Sequence, residues 1–394
     1  MKNKLTEEVL NFFPFILVFY EIANYLANDA YLPAMPSIAT QLHTTNHWVQ
    51  LTLTAFFLGN ATMQLILGPI SDRYGRRFLL LAGGVVFIVT TLICALTNNI
   101  YTLLIIRFFQ GSAVTSMIIA GYATIHAIYD NVRAIKTLAW MNSITVLAPA
   151  LGPLLGALIL LISNWRMIFF VLAFWAVLGW FGLWKWMPET CEEAIPINLK
   201  KIVKQYWQAL KNWQFIKPIL TLSLLFSAMI VWIASGPFLV METFGYSALN
   251  FGIIQGIVFG SFISGTHFVN RSIEKLTIEK ITKISIDIAI LGGVLSLILS
   301  LILRNMLFTV MVPMMIFGFG AGVGFPVFNR LAIEGSDSPM GIKMSLFASF
   351  MGISALIGSL IVSSFYNGTT LVYSLILGTF SFALFILKKL PVER

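Results

Sequence analysis

Apolar blocks of about 20 residues, long enough to cross a hydrocarbon layer as helices, follow one another along this chain with only short charged connections between them. Charged residues make up 10% of the 394 positions and hydrophobic ones 58%, whereas soluble domains carry about 25% charge. A soluble globular protein is excluded, and length here counts helices. At about 20 residues per span, twelve helices are expected near 12–34, 48–70, 78–96, 101–127, 137–162, 166–187, 215–240, 249–270, 282–303, 307–330, 342–365 and 371–387. The first block is too long for a signal-peptide core and lacks a small-residue cleavage site, so it reads as a retained helix.

The net charge of +9 raises the question of a nucleic-acid partner, which the positions of the cations answer in the negative. All but Arg107, Arg166 and Arg304 of the 25 lysines and arginines fall in alternate connections or at helix ends facing the same side. The positive-inside rule puts that side, with both termini and the long middle loop, in the cytoplasm of an inner-membrane protein. The loop divides the chain into an N-terminal bundle (1–187), a linker (188–214) and a C-terminal bundle (215–394) of six helices each. Within the linker, Lys200, Lys201 and Lys204 beside Tyr206 and Trp207 read as an amphipathic helix on an anionic lipid surface.

Carboxylates inside apolar spans are costly unless paired, neutralised or wetted, so they mark candidate sites. Glu21, Asp29 and Asp287 meet that description. Asp287, one turn inside its helix, is expected to pair with Lys283. Glu21 and Asp29 are eight residues apart, which on a helix means about 80° around the axis and about 12 Å along it, so both can line one cavity. Arg107 on the antiparallel fourth helix reaches a depth compatible with Asp29, and a contact between them is expected. A carboxylate in a poorly hydrated cavity favours its neutral form, while a guanidinium or a cationic ligand nearby favours the charged one. Arrival of such a ligand can therefore expel a proton.

Three further stretches combine several residue types at fixed spacing. After the second block the chain reads Gly68-Pro69-Ile70-Ser71-Asp72-Arg73-Tyr74-Gly75-Arg76-Arg77, in which Gly75 permits a tight turn and Asp72 can pair with Arg76 or approach a helix N-terminus. Leu103 to Gly111 reads LLIIRFFQG, and Ala148 to Ala157 reads APALGPLLGA, where Pro149, Gly152, Pro153 and Gly156 make a small, kinkable face for close helix approach. These stretches resemble the signatures of the major facilitator transporters, which are built from two parallel-related halves around a central binding site. Asn28-Asp29-Ala30-Tyr31-Leu32-Pro33-Ala34-Met35-Pro36, Trp48 to Phe56, Asn164-Trp165-Arg166, Met187-Pro188-Glu189-Thr190 and the pair Tyr20-Glu21 are similar to the bicyclomycin and chloramphenicol resistance branch of its twelve-helix drug:proton antiporters.

The resemblance implies an all-α major facilitator fold and export of small lipophilic molecules, cationic or neutral, in exchange for protons. It implies that Asp29 is the main protonation site and Glu21 the acid for cationic cargo. Arg107 tunes them, and Tyr25 and Asn28 contact substrate. Asp72, Arg73, Gly75, Arg76 and Arg77 form a conformational latch, for which the family often adds an acid low on helix 4. The nearby positions there are His126, Ala127 and Asp130. The helix-5 face is the one that the family's exporters carry. A dedicated exporter of one metabolite, such as a siderophore, and a transport-inactive receptor are the alternatives on the same scaffold. Trp232, Ser235, Met241 and Gln255 are possible linings in the second half. Cys94 and Cys191, and the histidines at 43, 47, 126 and 267, form no metal-ligand spacing, and no phosphate loop or nucleophile elbow appears. Neither a cofactor, a metal nor an enzymatic activity is expected, and the chain is expected to act as a monomer.

Overall fold

A computed structural model describes residues 7–191, 199–303, 306–336, 338 and 340–391, without the side chains of 7–9, 65, 69, 72, 131, 135, 139, 142, 199–203, 340 and 341. The described residues form helices and connecting turns. The first nine helices are α1 (Glu7–Asp29), α2 (Met35–Gln41), α3 (Asn46–Tyr74), α4 (Arg76–Leu96), α5 (Ile100–Ser116), α6 (Tyr122–Ile128), α7 (Asn131–Thr145), α8 (Ala148–Ile162) and α9 (Trp165–Trp186). The rest are α10 (Leu199–Lys211), α11 (Trp213–Phe238), α12 (Ala248–Ser272), α13 (Ile278–Ile302), α14 (Phe308–Glu334), α15 (Met340–Phe365) and α16 (Thr370–Lys389). The chain divides into two compact units, Met1–Thr44 with Ala55–Ile197, and Asn198–Arg394 with Thr45–Thr54.

Short polar residues start many of these helices by accepting hydrogen bonds from otherwise unpaired first-turn N–H groups. Asn99, Asn164, Asn212, Ser247, Thr277 and Thr369 each cap the helix that follows. Among the described residues ten helical runs are long and apolar enough to cross a membrane, and α7 with α8, bent by 40°, makes an eleventh. The second expected span, 48–70, lies within the 29-residue α3, which is not among those runs.

Two expected spans are interrupted. The first leaves the α-helix at Asp29, passes through a 3-10 turn at Leu32–Ala34 and resumes as α2. Pro33 has no N–H for the Asp29 carbonyl, and its ring would clash with that carbonyl in a continuous helix, which accounts for the break. The fifth, expected as one helix over 137–162, is broken at 146–147, because Pro149 near the start of α8 has no N–H for the Thr145 carbonyl.

The same crossing recurs in each unit. In the first, a side chain on Gly59 of α3 would lie 2.0 Å from the Phe108 carbonyl, and one on Gly111 of α5 would lie 2.0 Å from the Phe56 carbonyl. In the second, Gly265 of α12 and Gly322 of α14 face the carbonyls of Phe319 and Phe262 at 2.3 and 2.0 Å. Each glycine follows a phenylalanine by three residues, so all four helices carry Phe-x-x-Gly. The backbones meet where a Cβ does not fit.

In the second unit α10 packs on α11 and α15, with Ala209 and Tyr206 against Phe215, Ile216, Ile342 and Leu346. Asp287 pairs with Lys388 of α16, not with Lys283 as expected, because α13 and α16 pack side by side and bring the two groups together.

Candidate functional site

α1 carries Glu21, Tyr25, Asn28 and Asp29 at positions i, i+4, i+7 and i+8, which share one side of a helix. Glu21 is completely buried and Asp29 is 4% exposed. Glu21 Oε1 accepts a hydrogen bond from the Tyr122 hydroxyl at 2.6 Å, and its Oε2 has no partner among the described residues. Tyr122 opens α6 directly after a π-helical turn, Met117–Gly121, that reshapes the fourth span where Gly121 meets Leu17 of α1. A single π-turn inserted in a helix shifts the side chains that follow it, a feature frequent at functional sites. Tyr25 lies near Glu21, Asp29 and Tyr122.

Asp29 ends α1. Its Oδ1 accepts from the Asn28 side chain at 3.2 Å, and α8 closes over it. A side chain on Gly152 would lie 2.6 Å from the Asp29 Cβ, and one on Gly156 would lie 2.0 Å from the Ala30 carbonyl. The glycine-proline face singled out in the sequence is therefore the surface that covers the acid and the break after it. Pro153 is buried in the same face.

Arg107 is fully buried. Its Nη1 donates to the Ala27 carbonyl at 3.0 Å and to Gln110 Oε1 at 2.7 Å. Gln110 in turn donates to Thr91 Oγ1 at 2.8 Å. The guanidinium carbon stands 4.7 Å from the centre of the Tyr31 ring and 4.5 Å from that of Phe56. Two aromatic faces and a carbonyl in the last turn of α1 thus hold the cation, each attractive to positive charge. Among the described residues no ion pair joins Arg107 to Asp29. The arginine reaches the α1 backbone two residues before the acid instead, and its Nε and Nη2 have no hydrogen-bond partner among the described residues. Sequence reasoning missed Gln110, Thr91 and Tyr122: each is a common residue type whose role depends on which helix packs opposite.

The loop after α3 is built around Glu189. Gly75 adopts a φ of +98°, open to glycine, and a Cβ there would meet Glu189 Oε2 at 2.5 Å. The Glu189 carboxylate accepts the backbone N–H groups of Arg76 and Arg77, each at 3.1 Å. An acid at a helix N-terminus is favoured by unpaired N–H groups and the helix dipole. Arg76 Nη1 donates to the Ala123 carbonyl and to Thr190 Oγ1, and Arg77 to the carbonyls of Met187 and Trp184. Arg73 lies over the ring of Tyr74. The Asp72 side chain lies outside the described residues. Asp130 caps α7 by accepting from the Arg133 N–H at 2.8 Å.

In the second unit Trp232 donates to Gln255 Oε1 at 2.6 Å, and both are completely buried. Ser235 donates to its own helix at the Val231 carbonyl, and Met241 is partly buried.

The family model of the Major Facilitator Superfamily matches residues 17–359. The multidrug transporter MdfA of Escherichia coli O6:H1 is 31% identical over 330 residues, covering 84% of this chain and 80% of the relative. The chloramphenicol resistance protein CraA of Acinetobacter baumannii is 31% identical over 350 residues, covering 88% and 85%. The crystal structure of a POT family transporter in complex with 5-aminolevulinic acid has the same fold, with a TM-score of 0.77 at 13% identity over 95% of this chain and 94% of that one. Apolar spans, signature loops and these likenesses agree: the chain belongs to the Major Facilitator Superfamily and is a multi-pass transporter of the bacterial inner membrane, not an enzyme.

Proposed function

We propose that this transporter exports small lipophilic molecules, cationic or neutral, in exchange for protons by alternating access, with both termini in the cytoplasm. The observation that carries the reading is the burial of Glu21, Asp29 and Arg107 in one unit, with Glu21 Oε2 and two Arg107 nitrogens lacking hydrogen-bond partners among the described residues. Such groups are costly at membrane depth, and their retention there points to function. The names of the similar multidrug and chloramphenicol resistance proteins support drug-like cargo. Asp29 takes the transported proton beside the cover formed by α8. Glu21, with one oxygen held by Tyr122 and one unclaimed, receives cationic cargo, and Tyr25 and Asn28 border both acids. Arg107 sets the charge at the end of α1. Cargo binding favours loss of the proton from the acids, and proton entry from outside favours release of cargo there. Asp72, Arg73, Gly75, Arg76 and Arg77 form the loop that latches one conformation. The functional unit is one chain.

The test is uptake into energised inside-out vesicles of a fluorescent lipophilic cation, competed by a panel of unrelated cations, neutral antibiotics and iron chelators. Broad competition is expected. A single tight competitor with no effect of the others would instead identify a pump dedicated to one metabolite.

A further inference from the structure

Where α12 and α14 cross in the second unit, a groove of about 490 Å³ opens, lined by Ile263, Ser264, His267, Phe268, Arg271 and Phe319. Its apolar wall is fixed: the Phe268 and Phe319 rings stand 6.0 Å apart and pack on the core of Val269, Ile281, Val323 and Val327. The Ser264 hydroxyl donates to the Gly260 carbonyl at 2.8 Å, so the side-chain donors offered to a ligand are the His267 imidazole and the Arg271 guanidinium. These lie one turn apart on α12 and are both exposed.

Neither is in an ion pair among the described residues, whereas several other cations of this unit are engaged. Arg330 pairs with Glu334 and Lys388 with Asp287. Lys343 donates to the carbonyls of Ile333 and Ser336, and Lys217 to that of Leu390. Arg271 stands in the last turn of a 25-residue apolar span, the depth at which hydrocarbon gives way to headgroups.

We propose that this groove binds one anionic phospholipid, its phosphate held by Arg271 and His267 and an acyl chain laid over Ile263, Phe268 and Phe319. The guanidinium fork matches phosphate oxygens, and basic pockets between spanning helices at this depth suit such headgroups. A free phosphate would leave the three apolar walls unused. The site is separate from the buried acids of the first unit and does not depend on the proposed transport cycle.

Native mass spectrometry of the detergent-purified full chain tests this, with titration of cardiolipin, phosphatidylglycerol and phosphatidylcholine. One retained cardiolipin or phosphatidylglycerol is expected, with phosphatidylcholine much weaker. Arg271→Gln should weaken retention about tenfold or more, as for loss of a charge-assisted pair, while Arg330→Gln leaves it unchanged. Inorganic phosphate in large excess should not displace the lipid. Should Arg271→Gln fail to give a wild-type melting curve, His267→Gln and Ile263→Asn replace it, and each should weaken retention. Equal retention in the folded variants, or displacement by phosphate alone, overturns the proposal.

Discussion

The two units share a helix crossing and differ in what surrounds it. Phe56-x-x-Gly59 meets Phe108-x-x-Gly111 in the first, and Phe262-x-x-Gly265 meets Phe319-x-x-Gly322 in the second. The residue before the phenylalanine is Arg107 in α5 and Gly318 in α14, and the residue before the glycine is Gln110 in α5 and Ala321 in α14. Among the described residues the buried acids and bases are Glu21, Asp29 and Arg107, all in the first unit, while the buried polar groups of the second are Ser, Thr and Gln side chains. One scaffold has thus been filled in two ways. Among the described residues, the first unit buries charge, and the second buries neutral polar groups.

The largest effect should fall on the shared crossing. Gly111→Val and Gly322→Val each push a side chain into a carbonyl 2.0 Å away, and overpacking of this kind costs about 1–3 kcal/mol or more. Both should lower the thermal midpoint in detergent by similar amounts. Tolerance of one and not the other would break the equivalence of the units. Next, Arg107→Gln removes the cation from the end of α1. Hydrogen bonds to charged groups contribute about 1.5–3 kcal/mol, so vesicle uptake should fall by about tenfold or more for every cargo. Gln255→Leu, in the second unit, leaves the buried Trp232 N–H without its acceptor and should cost about 1–3 kcal/mol in stability, with proton coupling intact.

A finer distinction lies within the first unit. Tyr122→Phe leaves Glu21 without its hydroxyl donor, at about 1–2 kcal/mol, and should raise the apparent KM for cationic cargo about tenfold while leaving neutral cargo unchanged. An equal rise for both would place Glu21 outside cation recognition. The smallest effect is expected for Lys388→Ala. Its pair with Asp287 is partly exposed, and such pairs contribute about 0–1 kcal/mol, so transport should stay at the wild-type level.

Glu21, Asp29 and Arg107 were legible because charge in an apolar block is costly wherever it points. The small face of α8 was legible too, but not its target, since only packing places Gly152 against Asp29. Arg107 was expected to meet the Asp29 side chain. Sequence spacing gives depth along a helix, not which of several acceptors at that depth is nearest, and the Ala27 carbonyl with two aromatic rings holds it. Tyr122 is one aromatic among the 14% of the chain that is aromatic, and the π-turn before it has no period to read. Lys283 was the wrong partner for Asp287 because Lys388, 101 residues away, arrives by helix packing. Phe-x-x-Gly was visible as letters at six places, Phe317–Gly320 and Phe365–Gly368 included, and only packing shows which four copies face each other.

The central claim is that the buried charge of the first unit couples protons to export. Proteoliposomes with an imposed pH gradient measure it directly, when a lipophilic cation or a neutral antibiotic is added to the wild type and to Asp29→Asn. Dissipation of the gradient by the compound in the wild type, and its loss in the variant with binding retained, is the predicted result. Unchanged proton movement in a folded Asp29→Asn protein would contradict the account.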